Sequence, residues 1–411
     1  MVDIDPPWRL DPLQTITDCQ FAQGFLGTDG QGTLIGCNSS DGKVWRTISM
    51  TLGDMAYGDG TTQDPDTGED IATPKQWVGI AGSTIFVSTD GAKTWKANGG
   101  FVTADYIAYC KPDPKAKGGG IFVAADGGGV LYKSTDAGKT WTQTLDISNR
   151  DDVNDFDFLD GCGQKFFTGT GRGGFGGEDA NPFATLWSSN DGSSWTEQSV
   201  FMGEDWNLVT ADFEGEGLEC TVSGVGYDKV TKNYCLLGYI LGDAMCALVS
   251  VSSSGTFGGG TIIRAPAVVP DVYITSYNVE SNIVGGAGHF ITPISFRQRS
   301  DATESATESN TLCIATSSGG DSFDLKQIGP IHNPGDVGNV RNGPVAFSGK
   351  TFVWIVAKEE SSSSLAFVQA KVATVSDGAL GSFSTVTLPI THNLDHLRTG
   401  AVALQDQQQI P

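Results

Sequence analysis

The chain has 411 residues, 55 of them glycine, with 25 Lys+Arg against 48 Asp+Glu and a formal charge of −23. That balance argues against a nucleic-acid backbone or an anionic membrane surface as partner, since both need a basic face. A hydrophobic share of 39% is enough for a buried core and excludes a wholly disordered acidic chain, and no apolar run approaches the roughly 18 residues of a membrane span.

In chain order, residues 1–18 read as a lead-in with neither a basic region nor an apolar stretch. No export signal or membrane insertion is therefore expected. Cys19 and Cys37 flank the turn Thr28-Asp29-Gly30, and a hairpin there sets them opposite one another. The eight cysteines form no CxxC pair and read as buried thiols rather than zinc ligands.

An octet then recurs along the chain. Asn38–Trp45 contains Asp41 and Trp45, Ser88–Trp95 contains Asp90 and Trp95, and Ser134–Trp141 contains Asp136, Gly138 and Trp141. Ser188–Trp195 follows with Asn190, Gly192 and Trp195, then Ser250–Phe257, then Thr316–Phe323 with Gly320 and Phe323, then Ser376–Phe383. The closing aromatics stand at 45, 95, 141, 195, 257, 323 and 383, which marks seven units. Short β-rich runs precede the octets, such as Thr84–Val87, Val130–Tyr132 and Leu312–Ile314, and no segment sustains a helical period. Asp or Asn folding back on a turn, with glycine supplying positive φ, makes each octet a turn between two strands.

Polar stretches interrupt this pattern. Asp59–Ala72 falls between the first and second strands of its unit and holds Asp64, Asp66 and Asp70, an oxygen cluster of the kind calcium prefers. No cofactor is expected, with calcium at those three carboxylates as the alternative. In Asp151–Phe158, strand alternation puts Asp155 and Asp157 on one face and Phe156 and Phe158 on the other, a solvated edge rather than a catalytic pair. Gly171–Ala184, Ser300–Asn310 and Glu359–Ser364 fall between second and third strands. Loops on a rigid scaffold are where binding resides, so Arg172, Phe175, Asp179, Phe183 and Arg299 are the binding candidates there. Near the end, Pro330–Asn333 with Arg341–Phe347 is repeated by Pro389–Asn393 with Arg398–Leu404. Residues 398–405 are thus a first strand without a unit of its own, while 19–50 supply three strands that lack one.

The octets resemble the Asp-box, or BNR repeat, Ser-x-Asp-x-Gly-x-Thr-Trp. Residues 134–141 match every fixed position and 88–95 all but the glycine. The resemblance implies an all-β fold: a single seven-bladed β-propeller of four-stranded blades over 19–405, with 406–411 as a tail. Its ring would be closed by the C-terminal inner strand joining the N-terminal blade. Sialidases of this family carry an arginine motif ahead of the first box. Here Arg9 is the only arginine in that region, and Ile263-Arg264-Ala265-Pro266 lies in the fifth unit. No catalytic residue is assigned. The expectation is a non-catalytic structural or binding module similar to the propellers of tailed-phage virions. Its partners would be other virion proteins or a host-surface glycan, in a symmetric oligomer. The alternatives are a divergent Asp-box glycoside hydrolase and a single-ring assembly factor.

Overall fold

A computed structural model describes residues 25–28, 33–37, 45–92, 94–101, 103–150, 153–172, 184–200, 219–241, 246–263, 273–278, 282–299, 308–320, 322–327, 340–347, 350–359, 365–393 and 403–404. Every regular element among them is a strand. The strands form a succession of antiparallel sheets, numbered 1 to 7 along the chain.

Sheet 1 runs in the order Ala403–Leu404, Phe25–Thr28, Thr33–Cys37, Trp45–Thr51, and sheet 2 in the order Asp54–Gly58, Gln76–Ala81, Thr84–Ser88, Lys96–Phe101. Sheet 3 is Tyr106–Cys110, Ile121–Ala125, Val130–Ser134, Thr142–Asp146. Sheet 4 is Val153–Cys162, Lys165–Arg172, Ala184–Ser189, Thr196–Val200. Sheet 5 is Glu219–Asp228, Asn233–Leu241, Cys246–Ser252, Thr261–Ile263. Sheet 6 is Tyr273–Asn278, His289–Arg299, Glu308–Ser318, Asp324–Gln327, with Val284–Gly286 also on its second strand. Sheet 7 is Val340–Phe347, Thr351–Glu359, Leu365–Ser376, with Ser384–Asn393 and Ala379–Leu380 both paired to the third strand. The octets lie between third and fourth strands.

The second strands explain why such sheets stack. Along Lys165–Arg172, Phe166 packs with sheet 3 residues while Phe167 packs with sheet 5 residues. Leu236 and Leu237 divide likewise between sheets 4 and 6, and Phe290 and Ile291 between sheets 5 and 7. Side chains alternate across a strand, so a strand buried on both faces must be apolar at consecutive positions. Each fully buried phenylalanine or leucine stabilises the fold by about 1.5–3 kcal/mol. The octet aromatics seal these layers from the following sheet: Trp141 lies against Val78 and Ile80, Trp195 in the layer with Val123, and Phe257 on Phe167.

First strands of successive sheets lie side by side. Asp54–Gly58 touches Tyr106–Cys110, which touches Val153–Cys162, which touches Glu219–Asp228. Ala403–Leu404 pairs with Leu26 and Phe25 and touches both Asp54–Gly58 and Val340–Phe347.

Three expectations are corrected. Cys37 stands opposite Phe25, because Thr28 pairs with Leu34 and is itself in the strand rather than at the centre of the turn. Cys19 lies outside the described residues. Phe156 and Phe158, 2% and 7% exposed, are buried in different layers rather than on one face. The register shift between them, a β-bulge, breaks the alternation. Residues 59–72 are not an irregular loop: Thr61–Gln63 and Asp70–Ala72 pair as a two-stranded ribbon.

Candidate functional site

Two sets of carboxylates dominate the described polar groups, one inside the octets and one at the junctions between sheets. In Ser134–Trp141 the Ser134 hydroxyl donates to Asp136 Oδ1 at 2.9 Å and accepts from the Gly138 N–H at 2.8 Å. Asp136 Oδ1 also accepts from the N–H groups of Lys139 and Thr140, Oδ2 accepts from the Thr140 hydroxyl, and Trp141 Nε1 donates to the Gly138 carbonyl. Gly138 has φ 82°, where a side chain is disfavoured. Ser88–Trp95 repeats these bonds around Asp90, with Trp95 Nε1 donating to the Ala92 carbonyl. Ala92 takes the glycine position at φ 67°, so the missing glycine of this octet is a residue held in the left-handed region.

The fourth octet departs from its spacing. The acceptor is Asp191, not Asn190: Asp191 Oδ1 accepts from the N–H groups of Ser193 and Ser194 at 2.8 and 2.7 Å. Ser189 takes the role of Ser134 and binds the Gly192 N–H at 2.8 Å. The turn is one residue shorter, which shifts the serine and the acid together, and Asn190 is exposed. Ser252 with Gly255 and Ser317 with Gly320 make the same short turn. Phe323 packs on sheet 5 residues. Trp45 opens its strand opposite Cys37, and Asp41 lies outside the described residues.

Partial burial pushes the Asp136 carboxyl up, but hydrogen bonds from Thr140, Ser134 and Lys139 outweigh it and hold it below the usual carboxylate range. Hydrogen bonds led by the Ser194 N–H do the same for Asp191. These oxygens are engaged within their own turns.

At the junctions, carboxylates and one carboxamide reach the main chain of the next sheet. Asp54 Oδ2 accepts from the Ile107 N–H at 2.8 Å, Asp160 Oδ2 from the Val225 N–H at 2.7 Å, and Asp228 Oδ1 from the Gly288 N–H at 2.9 Å. Asn282 accepts from the Val345 N–H and donates to the Val345 carbonyl. Burial pushes the Asp54 and Asp160 carboxyls up to about 7 each, against the pull of those N–H groups. Asp59 is buried and accepts from the Gly120 N–H at 2.6 Å and from the Tyr109 hydroxyl at 2.5 Å. A tyrosine beside a carboxylate has the makeup of a nucleophile and its base. Here burial, and then Asp59 itself, push the Tyr109 phenol up, so it stays a protonated donor fastening sheet 2 to sheet 3.

The remaining expected residues divide as follows. Asp64 caps the ribbon turn, with Oδ1 accepting from the Asp66 and Thr67 N–H groups. Asp64, Asp66 and Asp70 do not converge, and among the described residues no set of three His, Cys, Asp or Glu groups is placed to hold a metal. Arg172 ends the second strand of sheet 4 and Arg299 that of sheet 6. Phe175, Asp179 and Phe183 lie outside the described residues. A cleft of about 250 Å³ opens at the octet end of sheets 4 and 5, lined by Lys165, Ser188, Ser189, Asn190, Asp191, Ser194, Thr196 and Thr256. The junction carboxylates were missed by sequence reading. Their one signal is a lone Asp or Asn recurring in or beside otherwise apolar first strands.

No protein-family model matches this sequence, and no curated protein matches it. Among solved structures, the chain is similar to YCF48 from Cyanidioschyzon merolae, at 12% identity and a TM-score of 0.37, over 75% of this chain and 92% of that one. It is similar to a polysaccharide lyase described as a PL25 ulvan lyase, at 13% identity and a TM-score of 0.41, over 89% of this chain and 81% of that one. It is also similar to the GH43 endo-arabinanase from Bacillus licheniformis, at 10% identity and a TM-score of 0.30, over 69% of this chain and 92% of that one.

Proposed function

We propose that the chain is a non-catalytic β-propeller whose seven sheets are blades and whose octets are Asp-boxes, serving as a rigid structural and binding platform. The observation that carries this reading is the engagement of its carboxylates: Asp90, Asp136 and Asp191 are held in their own turns, and Asp54, Asp59, Asp160 and Asp228 are bonded to the next sheet. General acid–base work needs a carboxyl aimed at substrate, and these are aimed at the main chain. Propellers of tailed-phage virions are the family parallel, with another virion protein or a host-surface glycan as partner in a symmetric oligomer. A glycan array and a hydrolysis screen test the reading: retention of a glycan, or co-assembly with virion proteins, without turnover is expected. Release of cleaved sugar would overturn it in favour of a divergent glycoside hydrolase. The one observation on that side is that Asp54 and Asp160 sit near 7, where a carboxyl can both give and take a proton.

Ring closure by residues 398–405 is part of this proposal. It is supported by the pairing of Ala403–Leu404 with Phe25 and Leu26 and by its position beside the first strands of sheets 2 and 7. Closure removes the two exposed edges that an open array leaves. Deleting residues 397–411 is expected to lower the melting temperature of the whole chain by roughly 5 °C or more. A truncated chain that melts with the full-length one would contradict closure.

A further inference from the structure

In an antiparallel sheet whose strands follow in order, the turn between strands one and two and the turn between strands three and four emerge at the same end. That shared end carries the octets and the start of each second strand. Gln76, Ile121, Lys165, Asn233 and His289 are equivalent there, each standing one place before the residue that pairs with the serine of its octet. Three of them reach across to the turn of the next sheet. Gln76 Nε2 donates to the Ala137 carbonyl at 2.6 Å, Asn233 Nδ2 to the Gly319 carbonyl at 3.3 Å, and His289 Nε2 to the Gly378 carbonyl at 2.9 Å. Ile121 has no polar group, and the third strand of its sheet supplies the bond instead: Lys133 Nζ donates to the Ser193 hydroxyl at 2.8 Å.

Lys165 is the exception. Among the described residues its ammonium makes no hydrogen bond or ion pair, and its stem runs past Gly255, where a Cβ would stand 3.1 Å from Lys165 Cδ. Ser188 stands where Lys133 stands in sheet 3, one place before the octet serine. Thr256 stands where Ser193 does, directly after the glycine whose N–H the octet serine binds. Exchanging a lysine for the short Ser188 removes the side chain that spans the seam between sheets 3 and 4. Sheets 4 and 5 are tied elsewhere at this end, by the Gln164 N–H on the Tyr234 hydroxyl and by Gln198 Nε2 on the Gly255 carbonyl. The cleft of about 250 Å³ opens at the place left unfilled.

The groups in the lining set the ligand's chemistry. Ser188, Thr196 and Thr256 offer hydroxyls and Asn190 a carboxamide, each able to donate and to accept. Lys165 adds a cation that only donates. Asp191 adds a carboxylate that only accepts, and its Oδ2 takes one long bond, from the Ser194 hydroxyl at 3.4 Å. One positive and one negative group select neither an anionic nor a cationic polymer. No aromatic or aliphatic side chain enters the lining, so a peptide would leave its apolar side chains without a wall. Adjacent hydroxyls that both donate and accept satisfy such a surface, and a cleft below the size of a drug pocket holds one sugar ring.

We propose that the open seam between sheets 4 and 5 seats one ring of a neutral glycan, with Lys165 and Asp191 on its hydroxyls and Ser188, Thr196 and Thr256 around it. This rests on the glycan-binding form of the reading above and adds to it the seat, the neutrality of the sugar and the face. The face is the octet end, opposite the loops between second and third strands. With no aromatic ring to stack on, a single seat should bind with a millimolar Kd, and copies of it in a symmetric oligomer would gain by avidity.

The test is saturation-transfer NMR of the full chain with the methyl glycosides of glucose, galactose, mannose and N-acetylglucosamine. Transfer to at least one of the four is expected, and it should persist as salt is raised, because no net charge is being matched. The triple variant K165I/S188K/T256S writes the seam of sheets 3 and 4 into this one. It should abolish transfer while melting close to the wild-type temperature. Lys139→Gln, which alters an exposed octet lysine of sheet 3, should bind as the wild type does. If the triple variant does not fold, Lys165→Ala alone should weaken binding by about tenfold, the worth of one charge-assisted hydrogen bond. Transfer to none of the four sugars would overturn the inference, with the platform reading then decided by the array and the assembly assay. Undiminished transfer in the variants, or transfer that fades with salt, would also overturn it and leave a glycan-binding platform whose site lies elsewhere.

Discussion

Replacing Gly161 by alanine is expected to destabilise the chain by about 3 kcal/mol or more, at the upper end of overpacking costs. A Cβ at Gly161 would stand 2.3 Å from the Tyr109 carbonyl oxygen and 2.8 Å from its carbon. Gly161 lies on the first strand of sheet 4 and Tyr109 on that of sheet 3, so two main chains meet with no side chain able to give way. The methyl must push the strands apart, which loosens the layer that holds Phe156, Phe166 and Trp187. Gly285 makes the matching approach to Tyr227 at the junction of sheets 5 and 6, at 2.5 Å from its carbonyl carbon. Gly258 is the control, since a Cβ there meets nothing within 4 Å. Gly258→Ala should stay within about 0.5 kcal/mol of wild type. Urea midpoints compare the three proteins, and a Gly161→Ala chain that unfolds with wild type would refute the close approach.

The second large effect is on pH. A carboxyl raised to about 7 in the folded chain, as burial does to Asp54 and Asp160, binds a proton that the unfolded chain has released above its ordinary value near 4. The stability tied to those protons is full below about pH 4 and is lost as pH rises through about 7. For Asp54 the shift corresponds to roughly 4 kcal/mol. Asp136 and Asp191 act in the opposite sense. Held low by their turns, they contribute stability above the usual carboxylate range and lose it as pH falls. Maximum stability is therefore expected between about pH 4 and 7. Thermal melts at about pH 5.5 and 8.5 should show the higher midpoint on the acid side, and Asp54→Asn, permanently neutral, should flatten the decline. A wild-type chain more stable at the higher pH would sink this account.

What the sequence disclosed, and what it hid, follows from the range of each interaction. The octets were legible because Ser134, Asp136, Gly138 and Trp141 satisfy one another within eight residues. Phe166-Phe167 and Leu236-Leu237 carry the pattern that a doubly buried strand requires, apolar side chains at consecutive positions. Asp191 was misread as Asn190 because a turn one residue shorter leaves the closing Trp195 in place while moving the acid. The faces of Phe156 and Phe158 were misread because a bulge leaves no composition of its own. Asp54 and Asp160 were invisible as contacts: their partners are N–H groups 53 and 65 residues away, and an N–H carries no letter in the sequence.

That last point has a consequence for how such a chain can vary. Ile107, Val225 and Val345 are held through their main-chain nitrogens, so the clamps place no demand on which side chain stands there, proline excepted. Substitutions can accumulate on the receiving side of these seams while a single acid or amide on the giving side keeps neighbouring sheets joined. Divergence between units is thus easy on one side of these seams and costly on the other.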